Sequence, residues 1–181
     1  MRVSVFGIGY VGTVVAGCMA QDGHEIVAVD ISADKVRAIN AGETPISEPG
    51  VPALIERAVA RGTLSATTDA GAAVLATELS FVCVGTPSRL NGDLDLSFVL
   101  QVCEDIATSL KHKTAPHMLA VRSTVLPGVM RDRVIPILRE ASGKANRRVR
   151  LLETRGQAGD HPILLSMPET EYLHFALLEV M

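Results

Sequence analysis

Short apolar runs alternate with longer segments of helical spacing through the first 150 residues of the chain. Arg2–Phe6 and Glu25–Val29 are rich in β-branched residues and end in turns, which predicts two strands, and Tyr10–Gln21 between them has the spacing of a helix. The same pattern predicts further strands at residues 64–67, 79–84, 117–123 and 149–152. It predicts further helices that begin at Ser32, Val51, Asp69 and Asp95, and a last helix that ends near Ala141. Strands that alternate with helices of about 10 to 15 residues indicate an α/β fold with a doubly wound parallel sheet.

Pro136 falls inside the last predicted helix. Proline has no backbone N–H and its ring clashes with the preceding turn, so an interior position costs about 3 kcal/mol unless the helix kinks or begins again there. We expect a kink at this position.

The regular pattern loosens after about Leu152. Residues 154–160 are polar and contain glycine, residues 163–165 predict a short strand, and residues 169–180 predict an amphipathic helix. We therefore divide the chain into one domain at residues 1–151 and a divergent tail at residues 152–181. We expect the tail to be the least stable part of the chain.

Size and charge restrict the partners of the chain. With 181 residues, 48% of them hydrophobic, it has the size of one domain with a substantial core. Its net charge of −3 provides no basic field for nucleic acid or for an anionic membrane. No run approaches the ~20 apolar residues of a membrane span, and three glycines interrupt the apolar N-terminus where a signal peptide needs a continuous run. We expect a cytoplasmic protein that binds a small ligand.

Three glycines stand in the pattern Gly-x-Gly-x-x-Gly, at Gly7, Gly9 and Gly12, between the first strand and the first helix. In a nucleotide-binding turn the first permits the sharp turn, the second lets a pyrophosphate approach the backbone, and the third lets the helix pack on the strand. The alternative is a glycine turn in an α/β domain that binds no nucleotide. Asp30 ends the second strand 18 residues after Gly12, where an acid accepts hydrogen bonds from the adenine ribose and repels a 2′-phosphate. The pattern predicts a Rossmann-type site for NAD in preference to NADP.

Three more polar side chains are compatible with the same ligand. Lys35 lies one turn into the second helix, where it either reaches the ribose or a phosphate or is an ordinary solvated residue. Thr86 and Thr124 follow the fourth and fifth predicted strands, at the edge where open parallel sheets bind ligands. Their hydroxyls either contact the nicotinamide ribose or diphosphate, or cap the end of a helix or strand. The residues alone leave both alternatives open.

The cysteines and histidines show no pattern of a metal site. Cys18, Cys83 and Cys103 each lie in an apolar run, which predicts buried free thiols in a reducing compartment. The histidines share no ligand spacing, and we expect them at the surface or in the core: His24, His112, His117, His161 and His174.

Five segments, in chain order FGIGYVG, SEPG, FVCVGTPS, NGDLDL and RSTVLPG, together resemble the nucleotide-sugar 6-dehydrogenases, the UDP-glucose/GDP-mannose dehydrogenase family. The resemblance covers about 145 residues. NGDLDL and the ending Leu126-Pro127-Gly128 are closer to the GDP-mannose branch than to the UDP-glucose branch.

The resemblance implies NAD as the cofactor, with site residues beyond the three glycines at Tyr10, Val11, Asp30, Lys35, Thr86 and Thr124. It also implies that the full-length protein oxidises the C6 alcohol of a nucleotide sugar to a carboxylate with two NAD, as a homo-oligomer and in polysaccharide biosynthesis. In that family a cysteine thiolate holds the sugar as a thiohemiacetal and then as a thioester. That cysteine belongs to a later Gly-Gly-Ser-Cys type of motif, which this sequence lacks.

The resemblance ends near Leu152, where the family continues with an Asn-Pro-Glu-Phe-Leu-Arg-Glu segment and this chain has only Met167-Pro168-Glu169. We expect the NAD-binding part of a nucleotide-sugar dehydrogenase, truncated, without catalytic residues and inactive alone. A non-catalytic NAD-binding regulatory or interaction protein is the alternative. A complete small NAD(P) enzyme of another Rossmann family would need a Tyr-x-x-x-Lys pair, but no lysine follows Tyr10 or Tyr172 at that spacing.

Overall fold

The computed structural model describes residues 1–143, together with the backbone of the strands at residues 149–154 and 175–180. Its strands are β1 (Arg2–Phe6), β2 (Glu25–Val29), β3 (Leu64–Thr67), β4 (Leu79–Val82), β5 (His117–Val121), β6 (Val149–Thr154) and β7 (Phe175–Val180). Its α-helices are α1 (Tyr10–Gln21), α2 (Ala33–Asn40), α3 (Val51–Ala60), α4 (Ala70–Ala76), α5 (Ser97–Leu110) and α6 (Ile135–Ala141).

The first five strands form a parallel sheet in the order β3-β2-β1-β4-β5. Val5 of β1 pairs with Ala28 of β2 on one side and with Phe81 of β4 on the other, and Phe81 pairs in turn with Ala120 of β5. The predicted doubly wound α/β sheet is confirmed. Because the chain order reverses on either side of β1, the carboxyl end of this strand lies at the crevice where such sheets bind ligands.

Two core layers cover the parallel sheet. The layer under α1, α2 and α3 contains Val3, Val5 and Ile55, and the layer under α4, α5 and α6 contains Val82 and Ile106, all of them fully buried. Strands covered on both faces bury the side chains that point to either side, which explains why the strand segments of the sequence are mostly apolar.

A chain of buried polar side chains crosses the second core layer toward the amino ends of the strands. Ser4 Oγ and Ser80 Oγ lie 2.7 Å apart, and Ser80 Oγ lies 2.8 Å from Nε2 of His117. Lys113 Nζ lies 3.1 Å from Nδ1 of the same histidine and donates to the carbonyl of Val74. His117 is therefore a hydrogen-bonded core histidine, one of the two alternatives that the sequence left for it.

Most predicted helix and strand boundaries are confirmed to within a few residues. Ser32 caps α2 by accepting from the amide of Lys35 at 3.5 Å, and Asp69 caps α4 by accepting from Ala72 at 2.9 Å. Helix α5 begins two residues later than predicted, at Ser97, whose amide donates to Oδ1 of Asp95 at 3.0 Å. β4 and β5 end two residues earlier than predicted, at Val82 and Val121.

A π-helical turn directly precedes the helix that contains Pro136. The turn, Met130–Val134, runs into α6, in which Pro136 is the second residue. The amide of Ile135 donates to the carbonyl of Met130, so the helical backbone continues through this junction and Pro136 follows the wider turn. The kink at this position stays a prediction.

The tail pairs with the parallel sheet in a way that the sequence pattern did not indicate. β7 pairs antiparallel with β5, with Leu177 opposite Ala120, and β6 pairs antiparallel with the outer side of β7, with Leu152 opposite Leu177. The predicted sixth strand is present, but β7 separates it from β5. The helix predicted at residues 169–180 is wrong over Phe175–Val180, since the open edge of β5 provides a strand partner that local periodicity does not encode. The strand predicted at residues 163–165 and the polar segment at residues 155–160 lie outside the described residues.

The opposite edge of the sheet is β3. The side chain of Asn40 lies along it, with Nδ2 donating to the carbonyl of Ala66 at 2.9 Å and Oδ1 accepting from the amide of Ala66 at 2.7 Å. One side-chain amide therefore satisfies both outward backbone groups of that residue.

Candidate cofactor site

The glycine turn between β1 and α1 combines two glycines that the fold requires with one that it does not. Gly7 has a φ of +98°, and a Cβ at Gly12 would lie 1.9 Å from the carbonyl oxygen of Gly7. Gly9 has an ordinary φ of −94°, and no heavy atom within 4 Å would meet its Cβ. Gly7 and Gly12 are therefore explained by backbone conformation and helix packing. The space in front of Gly9 is open to a ligand.

The first turn of α1 presents backbone amides toward that space. The first hydrogen bonds of the helix come from Thr13, whose amide and hydroxyl both donate to the carbonyl of Gly9, at 3.0 and 2.7 Å. The amides of Tyr10, Val11 and Gly12 precede this bond, and Gly9 offers no side chain to cap them. Unpaired amides at the positive end of the helix dipole favour an anion such as a pyrophosphate.

Asp30 holds the turn in place from the end of β2. Its Oδ2 accepts from the amide of Ile8 at 2.8 Å and from Nζ of Lys35 at 3.2 Å, and its Oδ1 accepts from the amide of Ser32 at 2.9 Å. An ionised carboxylate has about four lone-pair sites, so these three donors leave room for one more at Oδ1. The side chain is 8% exposed. This remaining acceptor fits a ribose hydroxyl.

Other residues predicted for the site lie around the same edge. Tyr10 is 55% exposed at the start of α1, and Val11 beside it is partly buried. The ammonium of Lys35 lies at this edge as well, 3.2 Å from Oδ2 of Asp30, and its side chain is 40% exposed. Ile31 is 97% exposed directly after Asp30, as an apolar side chain without cover at the end of β2.

The two predicted threonines follow β4 and β5 at this edge. Thr86 is partly buried and Thr124 is exposed. Between them, Ser123 Oγ donates to the carbonyl of Val84 at 2.6 Å. Both threonines therefore follow the carboxyl ends of adjacent strands, β4 and β5. The hydrogen bond from Ser123 to Val84 joins the two segments that carry them.

Two contacts in this region involve residues that the sequence analysis did not select. Ile8 contributes a backbone amide, which no residue type can signal. The sequence pattern predicts Ser123 only as the end of a strand, and its position beside Thr124 is the one signal that points to the site.

The cysteines are poor nucleophiles in this fold. Burial raises the pKa of Cys83 and of Cys103 to about 12, and for Cys83 this outweighs the opposing effect of Arg122. Burial, and to a smaller extent Asp22, also raises the pKa of Cys18, which is only partly buried and so differs from our expectation. Since the thiolate is the reactive form, none of the three is activated.

Within the described residues, no cluster of three or more histidine, cysteine or acidic side chains is suited to a metal ion. In the same part of the chain, no helix combines the length and the apolar character that a bilayer span requires.

A parallel 3-2-1-4-5 sheet with a glycine turn after β1 and an acid after β2 is the arrangement of a Rossmann-type dinucleotide-binding domain. The chain belongs to the UDP-glucose/GDP-mannose dehydrogenase family, because residues 1–159 match the model of its NAD binding domain. This family consists of NAD-dependent dehydrogenases, and NAD is the cofactor of this domain.

Relatives agree with this assignment. The chain is 56% identical over 144 residues to GDP-mannose 6-dehydrogenase of Azotobacter vinelandii, with 80% of this chain and 33% of the relative covered. It superposes on a ternary complex of GDP-mannose dehydrogenase from Pseudomonas aeruginosa with a TM-score of 0.79 and 50% identity, over 80% of this chain and 33% of that one. A UDP-glucose dehydrogenase from Pyrobaculum islandicum gives a TM-score of 0.76 and 36% identity, over 79% and 33%. The chain spans about a third of the length of these relatives.

Proposed function

We propose that this chain supplies the NAD site of a GDP-mannose 6-dehydrogenase. The observation that carries the proposal is the contrast within the glycine turn. Gly7 and Gly12 are needed by the fold, whereas Gly9 faces open space beside uncapped amides. A glycine that packing does not require is explained by a ligand that approaches the backbone closely.

In this proposal the adenosine half of NAD lies over the end of β2. The amides of Tyr10, Val11 and Gly12 bind the pyrophosphate. Oδ1 of Asp30 accepts from a ribose hydroxyl, and its charge disfavours a 2′-phosphate, which selects NAD over NADP. Lys35 fixes the carboxylate through their 3.2 Å ion pair and adds a cation near the phosphates.

The nicotinamide half then extends toward the ends of β4 and β5. Thr86 and Thr124 contact its ribose or the diphosphate, as the resemblance to the family implies. When bound, NAD accepts a hydride from the substrate carbon. The described residues orient the cofactor and provide no group for the sugar chemistry.

GDP-mannose is the proposed substrate of the full-length protein, whose reaction takes the C6 alcohol to a carboxylate with two NAD. Identity to the two GDP-mannose relatives, 56% and 50%, exceeds the 36% identity to the UDP-glucose relative. The present chain alone is expected to bind NAD without oxidising the sugar, because its three thiols are not activated. These relatives favour this enzyme over a regulatory NAD-binding protein. We further propose a cytoplasmic location, which suits the three free cysteines, and a homo-oligomeric full-length protein.

Calorimetric titration of the wild-type chain with NAD and NADP tests the cofactor site. Saturable NAD binding that is at least tenfold tighter than NADP binding is the expected result, and tighter NADP binding would contradict the role of Asp30. A parallel assay of absorbance at 340 nm with NAD and GDP-mannose is expected to show no sustained NADH. Release of NADH that a substitution of Cys18, Cys83 or Cys103 abolishes would overturn the claim that this chain lacks a catalytic thiol.

A further inference from the structure

Ser123 lies where the regular pairing of β4 and β5 ends. The last backbone hydrogen bond between the two strands runs from the amide of Arg122 to the carbonyl of Val82, at 2.8 Å. One residue further, Ser123 Oγ donates to the carbonyl of Val84 at 2.6 Å, whereas the carbonyl of Val82 is 3.4 Å away. The serine is 6% exposed, so the bond is shielded from water. Its hydroxyl therefore connects the segments that follow β4 and β5, beyond the last backbone hydrogen bond between the two strands.

Val84 is restricted on its other side by the glycine turn. A Cβ placed on Gly7 would lie 3.0 Å from Cγ1 of Val84 and 3.1 Å from the carbonyl group of Cys83. Gly7 is itself held, since its amide donates to the carbonyl of Val29 at 2.8 Å. Val84 therefore lies close to the turn through its side chain. Its carbonyl is bonded to the Ser123 hydroxyl, which restrains the segment.

We propose that Ser123 is a positioning residue for the nicotinamide half of the cofactor. Its bond to Val84 fixes the segment that carries Thr86 relative to the segment that carries Thr124. The inference rests on the proposed function, in which both threonines contact that half of NAD. The adenosine half is held by different contacts, the bonds of Asp30 to Ile8 and to Ser32, which do not involve Ser123.

This division of contacts predicts a selective effect on binding. Loss of the Ser123 hydroxyl removes one buried hydrogen bond and releases Thr86 from its position, so NAD binds more weakly. ADP contains the adenosine and the pyrophosphate but no nicotinamide, so its affinity changes little. The informative quantity is the ratio of the NAD dissociation constant to the ADP dissociation constant. A partly unfolded variant lowers both apparent affinities by the same factor, which leaves this ratio unchanged.

The experiment titrates NAD and ADP into the wild-type chain, Ser123→Ala, Ser123→Cys and Ser80→Ala by calorimetry. Ser80→Ala is the matched control, because it removes another buried serine hydroxyl, one that is bonded to Ser4 and His117 and lies away from the cofactor edge. We expect the ratio to rise about fivefold in Ser123→Ala, to rise less in Ser123→Cys because the thiol is a weaker donor, and to stay at the wild-type value in Ser80→Ala.

Three outcomes would overturn the inference. An unchanged ratio in both Ser123 variants, or an equal rise in Ser80→Ala, overturns the positioning role and leaves the proposed function in place. Absence of NAD binding by the wild-type chain overturns the proposed function and this inference together. If Ser123→Ala does not fold, the ratio measured with Ser123→Cys decides.

Discussion

The backbone amide of Ile8 donates to Oδ2 of Asp30 at 2.8 Å, across 22 residues of sequence. The carboxylate at the end of β2 therefore helps to shape the glycine turn, in addition to the role proposed for it with the ribose. The ammonium of Lys35 donates to the same oxygen, so the glycine turn and Lys35 are both connected to the carboxylate of Asp30.

The first prediction concerns Asp30→Ala. We expect about a tenfold loss of NAD affinity, and we expect the preference over NADP to disappear because the freed ammonium of Lys35 can pair with a 2′-phosphate. Calorimetry with both cofactors measures the change. Asp34→Ala is the control. Asp34 is an exposed acid at the start of α2, and its ion pair is with Arg37. NAD binding at wild-type strength by Asp30→Ala would refute the assignment.

The second prediction separates the glycines of the turn. Gly9→Val is expected to fold with a melting temperature near that of wild type, because its φ is ordinary and the space is open, but to lose NAD binding at least tenfold. Gly12→Ala is expected to lower the free energy of unfolding by about 3 kcal/mol or more, because the new methyl overlaps the carbonyl of Gly7. Thermal denaturation and calorimetry measure both. Gly9→Val with intact NAD affinity would mean that no ligand occupies that space.

The third prediction follows from the buried thiols. Folding raises the pKa of Cys83 and Cys103 from 9.0 to about 12, so the stability gained by keeping them neutral is present below pH 9 and is lost as the pH rises toward 12. Urea unfolding between pH 8 and 11 is expected to show a falling free energy of unfolding, with a shallower fall in Cys103→Ala. Equal slopes of stability against pH in the variant and the wild type would contradict the prediction.

The same burial predicts the order in which the thiols react. At pH 8 a disulfide reagent is expected to modify the partly buried Cys18 first.

The fourth prediction concerns the loop between β4 and α5. The backbone amide and the side chain of Ser97, followed by Arg89, lower the pKa of Asp95 from 3.8 to about 2. The stability that Asp95 contributes is therefore complete above pH 4 and is lost as the pH falls toward 2. NMR titration of the carboxyl group is expected to give this low pKa in wild type and a value closer to 3.8 in Arg89→Met. An ordinary pKa in wild type would show that these bonds do not persist in solution.

The parallel half of the fold was predictable because its signals are local. β1 follows from its apolar run, and Ser32 and Asp69 lie where helix caps are expected. β6 and β7 were not predictable in their arrangement, because β7 pairs with β5, more than 50 residues earlier, and a six-residue apolar segment fits a strand and a helix equally well.

The candidate site divides in the same way. The glycines and Asp30 were identified because each needs a particular residue type. The link from Ile8 to Asp30 uses a backbone amide, and the link from Ser123 to Val84 uses a backbone carbonyl, so only the three-dimensional arrangement reveals them. The π-helical turn before Pro136 was not predicted for a related reason, since nothing in the local residue pattern distinguishes it from an ordinary helical turn.

Asn40 makes the two edges of the sheet unequal in their ability to accept another strand. Its amide mimics the two hydrogen-bonding groups of a neighbouring strand at the centre of β3, so an incoming chain finds that position already taken. On the opposite side the sheet continues from β5 into β7 and β6. Any strand exchanged with another molecule would therefore be accommodated beyond β5, on the side away from Asp30.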